Sequence, residues 1–209
     1  MAVTAQQVKD LRDATGAGPL DCKKALETTN GDVQKAIDLL REKGLARAAK
    51  KLAGGRAMNE GLIETYKHFN NRLGVMVEVN CETDFVANTD QFRTFVKDLA
   101  LHIANLNPEY IKREDVPEAV IEAERQIQRR RVIEEGKPEA VADRIVDGRM
   151  DKFFEEIVLM EQPFLRDDSK TIKQLLAEVV AGVGESIEIR RFARFALGEV
   201  TDENSGGGE

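Results

Sequence analysis

At 209 residues and 42% hydrophobic, the chain can bury roughly two thirds of its unfolded surface and build one or two domains. Its formal charge of −7, with 31 basic against 38 acidic residues, disfavours a protein devoted to coating nucleic acid. Cys22 and Cys81 are too few for a disulfide framework, "MAVTAQQVKD" is no signal peptide, and no apolar run approaches the roughly eighteen residues of a membrane helix, so a soluble cytoplasmic protein is expected.

In chain order, Thr4 is placed as N-cap of "AQQVKDLRDA", with Val8, Leu11 and Ala14 at helical spacing before Gly16 and Gly18. Pro19 opens a second helix, "LDCKKALETT", closed by Asn30-Gly31. Asp32 caps a third, "VQKAIDLLREKG". These helices define a small bundle over residues 1–44. Residues 45–56, with Arg47, Lys50, Lys51 and Arg56, read as a basic helical linker ending at Gly54-Gly55; an RNA contact is the alternative meaning of such a run.

Residues 57–200 read as an α+β core. "GLIETYKH" and "LGVMVEVN" form an antiparallel hairpin through Phe69 to Arg72, with Leu73, Val75, Val77 and Val79 alternating. Phe92, Phe95, Val96, Leu99 and Ile103 then mark a helix expected to cover it. Two charged helices joined by Gly136 and Pro138 predict a protruding hairpin arm at about 117–150, because the first has only a thin stripe through Val120, Ala123 and Ile127. "DKFFEEIVLM" returns to an apolar helix that breaks at Pro163, and Ser169 is placed as cap of "KTIKQLLAEVVAGVG". A third strand follows, with Ile187, Ile189, Ala193, Phe195 and Leu197 expected on one face. Residues 201–209, "TDENSGGGE", read as a disordered tail.

Catalytic chemistry finds little support. His68 and His102 fall on a strand and a helix, neither cysteine belongs to a CxxC pair, and no phosphate-binding GxxxxGK[ST] loop or GxSxG elbow occurs. Glu78, Glu82 and Asp84 lack the convergent partners of a Mg²⁺ site. No cofactor or metal is expected. "EVNCETDFVAN" raises a sharper question by setting Asp84 beside Phe85 where a strand becomes loop. Locally, Asp84 caps the next helix and Phe85 packs on its own hairpin; alternatively both are offered to another molecule.

Over nearly its whole length the sequence resembles the elongation factor Ts family, exchange factors for the GTPase elongation factor Tu. "VKDLRDATGAGPLDCKKAL" with "NGDVQKAIDLLREKG" is similar to that family's amino-terminal three-helix domain of the ubiquitin-associated type. "EVNCETDFVAN" is similar to its signature, and "DGRMDKFFEEIVLMEQPFLRDDSKTIKQLL" to its carboxy-terminal half. The resemblance implies that Thr83, Asp84, Phe85 and Val86 lie against the GTPase near its nucleotide-bound Mg²⁺ and promote GDP release. It also implies a second contact through Arg12 and the loop carrying Gly16, Gly18, Pro19, Leu20 and Asp21. Pro19-Leu20 stands where the family commonly has two methionines, a stiffer apolar pair. The chain is similar to the family's short form, whose single half-core leaves sheet edges uncovered and points to a homodimer. A peptide- or RNA-binding module without exchange activity is the rival reading. An organellar member would work in the stroma or matrix.

Overall fold

A computed structural model describes residues 3–52 and 58–199. They divide into two compact units. The first takes the described residues within Met1–Gly61, Asn80–Arg93 and Leu176–Glu188; the second takes those within Leu62–Val79, Thr94–Leu175 and Ile189–Glu209. The α+β class expected from the sequence is the class observed.

The first unit opens with α1 (Ala5–Thr15), whose start is a reciprocal cap. The Thr4 hydroxyl accepts the Gln7 N–H at 3.2 Å, and the Gln7 side chain accepts the Thr4 N–H at 2.9 Å. Gly16, left-handed at φ 67°, ends the helix by donating its N–H to Arg12 O at 2.7 Å. Pro19 sits in the first turn of α2 (Pro19–Thr28), where its missing N–H loses nothing. Asp32 then caps α3 (Val33–Leu52) by accepting the Lys35 N–H, a bond that holds its carboxyl below the usual range. Leu11, Cys22, Ala25, Leu26, Ala36 and Leu40 form the buried core of the three helices.

One expectation fails here. The third helix and the linker are not separate, because α3 runs 20 residues through Gly44 to Leu52. Gly44 is not a terminator. A Cβ built there lies 3.3 Å from the Ala181 Cβ, so glycine permits a close approach, and Arg41 pairs with Glu178 at 2.7 Å on the same side. The end of the expected linker, from residue 53, lies outside the described residues.

In the sheet, β1 (Glu60–Lys67) and β2 (Leu73–Cys81) form the expected hairpin, closed by His68 N–H to Leu73 O at 2.9 Å with Asn71 left-handed at the tip. The order is β1–β2–β5, with β5 at Ile187–Ala196. Val75, Val77, Val79 and Cys81 share the buried face of β2. Strand β5 departs from the expected alternation. Ile187 and Ile189 are buried, Arg190 and Arg191 are both exposed, and the half-buried set then becomes Phe192, Arg194 and Ala196. This slip by one residue, as at a β-bulge, turns Phe195 and Leu197 outward.

Helix α5 (Asp90–Leu106) carries the expected stripe, with Phe92, Phe95, Val96, Leu99 and Ile103 all buried. Helices α6 (Glu118–Glu134) and α7 (Glu139–Ile157) pack as a hairpin over Val116, Val132, Ala142, Val146, Met150, Phe154 and Val158. Pairs Arg125–Asp147 at 2.9 Å and Arg149–Glu135 at 2.7 Å link them across their polar sides. The two segments read separately as "EAVADRIVDGRM" and "DKFFEEI" are one helix. Arg113 lies 4.1 Å over the Phe154 ring while its guanidinium binds Glu161, which raises the Arg113 pKa further.

The chain then forms a small antiparallel pair, β3 (Pro163–Phe164) and β4 (Asp167–Thr171), which the sequence did not suggest. Ser169 belongs to β4 and bonds Asp167. The cap of α8 (Ile172–Val183) is instead Thr171, which exchanges bonds with Gln174. The expected tail at 201–209 lies outside the described residues.

Candidate partner-binding site

Strand β2 ends at Cys81, and two residues later the chain makes one helical turn, α4 (Asp84–Ala87). The cap is Thr83, not Asp84. Its backbone is extended at φ −134° and ψ 155°, and its hydroxyl accepts the Val86 N–H at 3.4 Å. At the far end the Asn88 N–H and side-chain amide both donate to Asp84 O, and Arg93 donates to Asn88 Oδ1 at 2.7 Å. Thr89 accepts the Phe92 N–H and starts α5.

The turn faces two ways. Val86 and Ala87 are 6% and 5% exposed and root it in the unit, whereas Phe85 is 83% exposed and Asp84 points to water beside it. Phe85 does not pack on the hairpin, contrary to the local reading of the sequence. A phenyl ring left in water forgoes about 1.5–3 kcal/mol of burial.

Thr83 is held from a distant part of the chain. Glu185, between α8 and β5, accepts the Thr83 N–H at 3.1 Å and the Thr83 hydroxyl at 2.8 Å. In return Glu82 accepts the Ser186 N–H at 2.9 Å. The Cys81 Sγ–H donates to Thr83 O at 3.1 Å. Burial, aided by the Glu185 carboxylate, pushes the Cys81 thiol up and keeps that proton in place. Sequence reasoning missed Glu82 and Glu185 as partners of this turn, since nothing local marks residues 102 apart as neighbours.

The second set of sequence candidates lies in the same compact unit. Arg12 is exposed on α1, Gly16 and Gly18 flank the loop, Pro19 and Asp21 begin α2, and Leu20 stands 73% exposed. Gly16, Gly18 and Asp21 line one wall of a cleft of about 770 Å³; Leu40, Arg41 and Gly44 of α3 and Ala181 and Gly182 of α8 line others. The Gln91 side chain covers Gly182 so closely that a Cβ there would lie 2.4 Å from it.

The remaining candidates resolve into structural roles. His68 bonds the Tyr66 hydroxyl at 2.8 Å and tilts against Phe69. Buried His102 accepts the Leu165 N–H at Nδ1 and meets Gln162 Oε1 at 2.9 Å through Nε2, so Nε2 carries the proton; burial lowers its pKa. Glu78 pairs with Arg191 at 2.7 Å. Among the described residues, no group of three His, Cys, Asp or Glu is placed to hold a metal ion, and no helix is long and apolar enough to cross a membrane.

The unit thus carries an exposed aromatic and an acid on one short turn, and a second exposed apolar residue on a helix-opening loop. The family described as "Elongation factor TS" matches residues 2–199. Elongation factor Ts of Thermoanaerobacter sp. (strain X514) is 58% identical over 203 residues, covering 97% of this chain and 98% of that protein. That of Caldanaerobacter subterraneus subsp. tengcongensis is 59% identical over 197 residues, with 94% and 98% covered, and that of Coprothermobacter proteolyticus 56% over 199, with 95% and 100%. The chain belongs to the elongation factor Ts family and is a translation elongation factor.

Proposed function

We propose that this chain is a guanine-nucleotide exchange factor that binds elongation factor Tu in its GDP-bound form, promotes GDP release, and stays bound until GTP enters. Phe85, 83% exposed on a turn braced at both ends, carries this reading. Family membership supports the choice of partner. An exchange factor makes no covalent change. It binds the nucleotide-free GTPase better than the nucleotide-bound one, and linkage makes factor and nucleotide weaken each other equally.

Phe85 is the wedge, entering an apolar pocket of the GTPase, and Thr83 and Val86 frame it. Asp84 brings its charge near the Mg²⁺ held by the partner and disturbs the waters and side chains around that ion, leaving the phosphates less neutralised. Arg12, Gly16, Gly18, Pro19, Leu20 and Asp21 supply a second contact, in which exposed Leu20 gives the apolar centre. The step takes place in the cytoplasm and needs neither nucleic acid nor a cofactor of this chain. Stopped-flow measurement of fluorescent GDP leaving elongation factor Tu tests the reading; release at the same rate with and without this protein refutes it.

We further propose a homodimer. Ile63, Met76 and Phe195, one from each strand of the sheet, are 62%, 52% and 74% exposed on the face opposite the β2 valines, and a second copy would cover them. A 23.3 kDa particle in sedimentation at high micromolar concentration would refute it.

A further inference from the structure

A four-residue helix has no stability of its own, far below the roughly twelve residues that an isolated helix needs. Left to itself, the segment carrying Phe85 would sample many conformations, and a partner would have to order it on binding. The polar groups of Thr83 are instead engaged. Its N–H and hydroxyl donate to the two oxygens of Glu185, at 3.1 and 2.8 Å, and its carbonyl accepts from the Cys81 thiol at 3.1 Å and the Ala87 N–H at 3.3 Å.

The direction of the hydroxyl is set by chemistry. The Val86 amide can only donate, so Thr83 Oγ1 accepts from it, and the single hydroxyl proton must go to the Glu185 carboxylate. Both bonds to Glu185 are charge-assisted. Glu82 answers from the other side by accepting the Ser186 N–H, so two carboxylates cross-link two backbone segments reciprocally.

We propose that Glu185 is a positioning residue for nucleotide exchange. It touches neither nucleotide nor GTPase; it holds Thr83, through Thr83 the turn, and through the turn the exposed ring of Phe85. This inference rests on the exchange reading given above. The gain is preorganisation, because the ring is presented before the partner arrives and association need not order it.

The test is a double-mutant cycle on the full chain, read as acceleration of fluorescent GDP release from elongation factor Tu over a range of concentrations. Glu185→Gln keeps the shape but replaces one acceptor oxygen with an amide that faces a Thr83 donor. The expected result is a roughly tenfold rise in the concentration giving half-maximal acceleration, with the maximal rate kept, and less than a twofold rise when the same change is made on Phe85→Ala. Thr83→Val, which cuts only the hydroxyl bonds, follows Glu185→Gln and serves in its place should Glu185→Gln lose its cooperative melt. In the free protein, Glu185→Gln speeds hydrogen exchange at the Val86 amide.

Wild-type behaviour of Glu185→Gln overturns the proposal, as does an equal loss in both backgrounds, which marks a merely structural residue. Failure of the exchange reading looks different. There GDP leaves elongation factor Tu at the same rate with and without the unsubstituted chain, whatever the hydrogen exchange at Val86 reports.

Discussion

Replacing Phe85 with alanine separates folding from function more cleanly than any other change in this chain. The ring is 83% exposed in the free protein, so its loss leaves no cavity, and stability is expected to stay within about 0.5 kcal/mol of wild type. Backbone bonds of the turn run through Thr83, Asp84 and Asn88 and do not involve the phenyl group. The proposed wedge buries the same ring against the GTPase, which is worth about 1.5–3 kcal/mol. At roughly 1.4 kcal/mol per decade this predicts GDP release slowed by about one to two decades. The assay is stopped-flow release of fluorescent GDP, paired with a thermal melt. Wild-type release refutes the wedge, and a lowered melting temperature refutes the view that the ring plays no part in the fold. The proposal assigns the remaining acceleration to the second contact and the wider surface.

His102 predicts an acid-sensitive stability. Burial lowers its pKa in the folded state below the ordinary 6.5, so between those two values the unfolded chain binds more protons. Stability from this group is complete above about pH 6.5 and is lost as pH falls toward the folded pKa. Denaturant melts of His102→Gln, which keeps one acceptor and one donor, are expected to show a flatter slope from pH 7 to 5; an unchanged slope refutes the assignment. Gly44→Leu forces a side chain into a gap where even a Cβ comes within 3.3 Å of Ala181, and a loss of about 1–3 kcal/mol in urea unfolding is expected. An unchanged unfolding midpoint would mean that α3 and α8 separate freely.

How much of this was legible in the sequence depended on the range of the interactions. Helices α1, α2 and α5 and the β1–β2 hairpin announced themselves through caps, periodicity and turn residues, all local signals. The resemblance carried the TDFV turn, yet local reasoning misplaced its parts: Thr83 was the cap and Phe85 faced water. Gly44 read as a stop because nothing nearby reveals that another helix passes close. Ser169 and Thr171 are both competent caps, and the choice went to the residue followed by a Gln that reaches back. The slip at Arg190-Arg191 was hidden because alternation counted from Ile187 assumes an unbroken pleat. Glu185 was invisible for the same reason as Gly44.

The Glu185–Thr83 pairing also has a consequence for the order of events during synthesis. The recognition turn is spelled out at residues 83–86, but the carboxylate that steadies it is added 102 residues later. At about 5–20 residues per second, the ribosome takes roughly 5–20 s to cover that interval. Throughout it the nascent chain carries its signature without the brace, so the proposed grip on the GTPase becomes competent only once Glu185 has emerged. A chain truncated before Glu185 would hold every letter of the motif and still present it loosely.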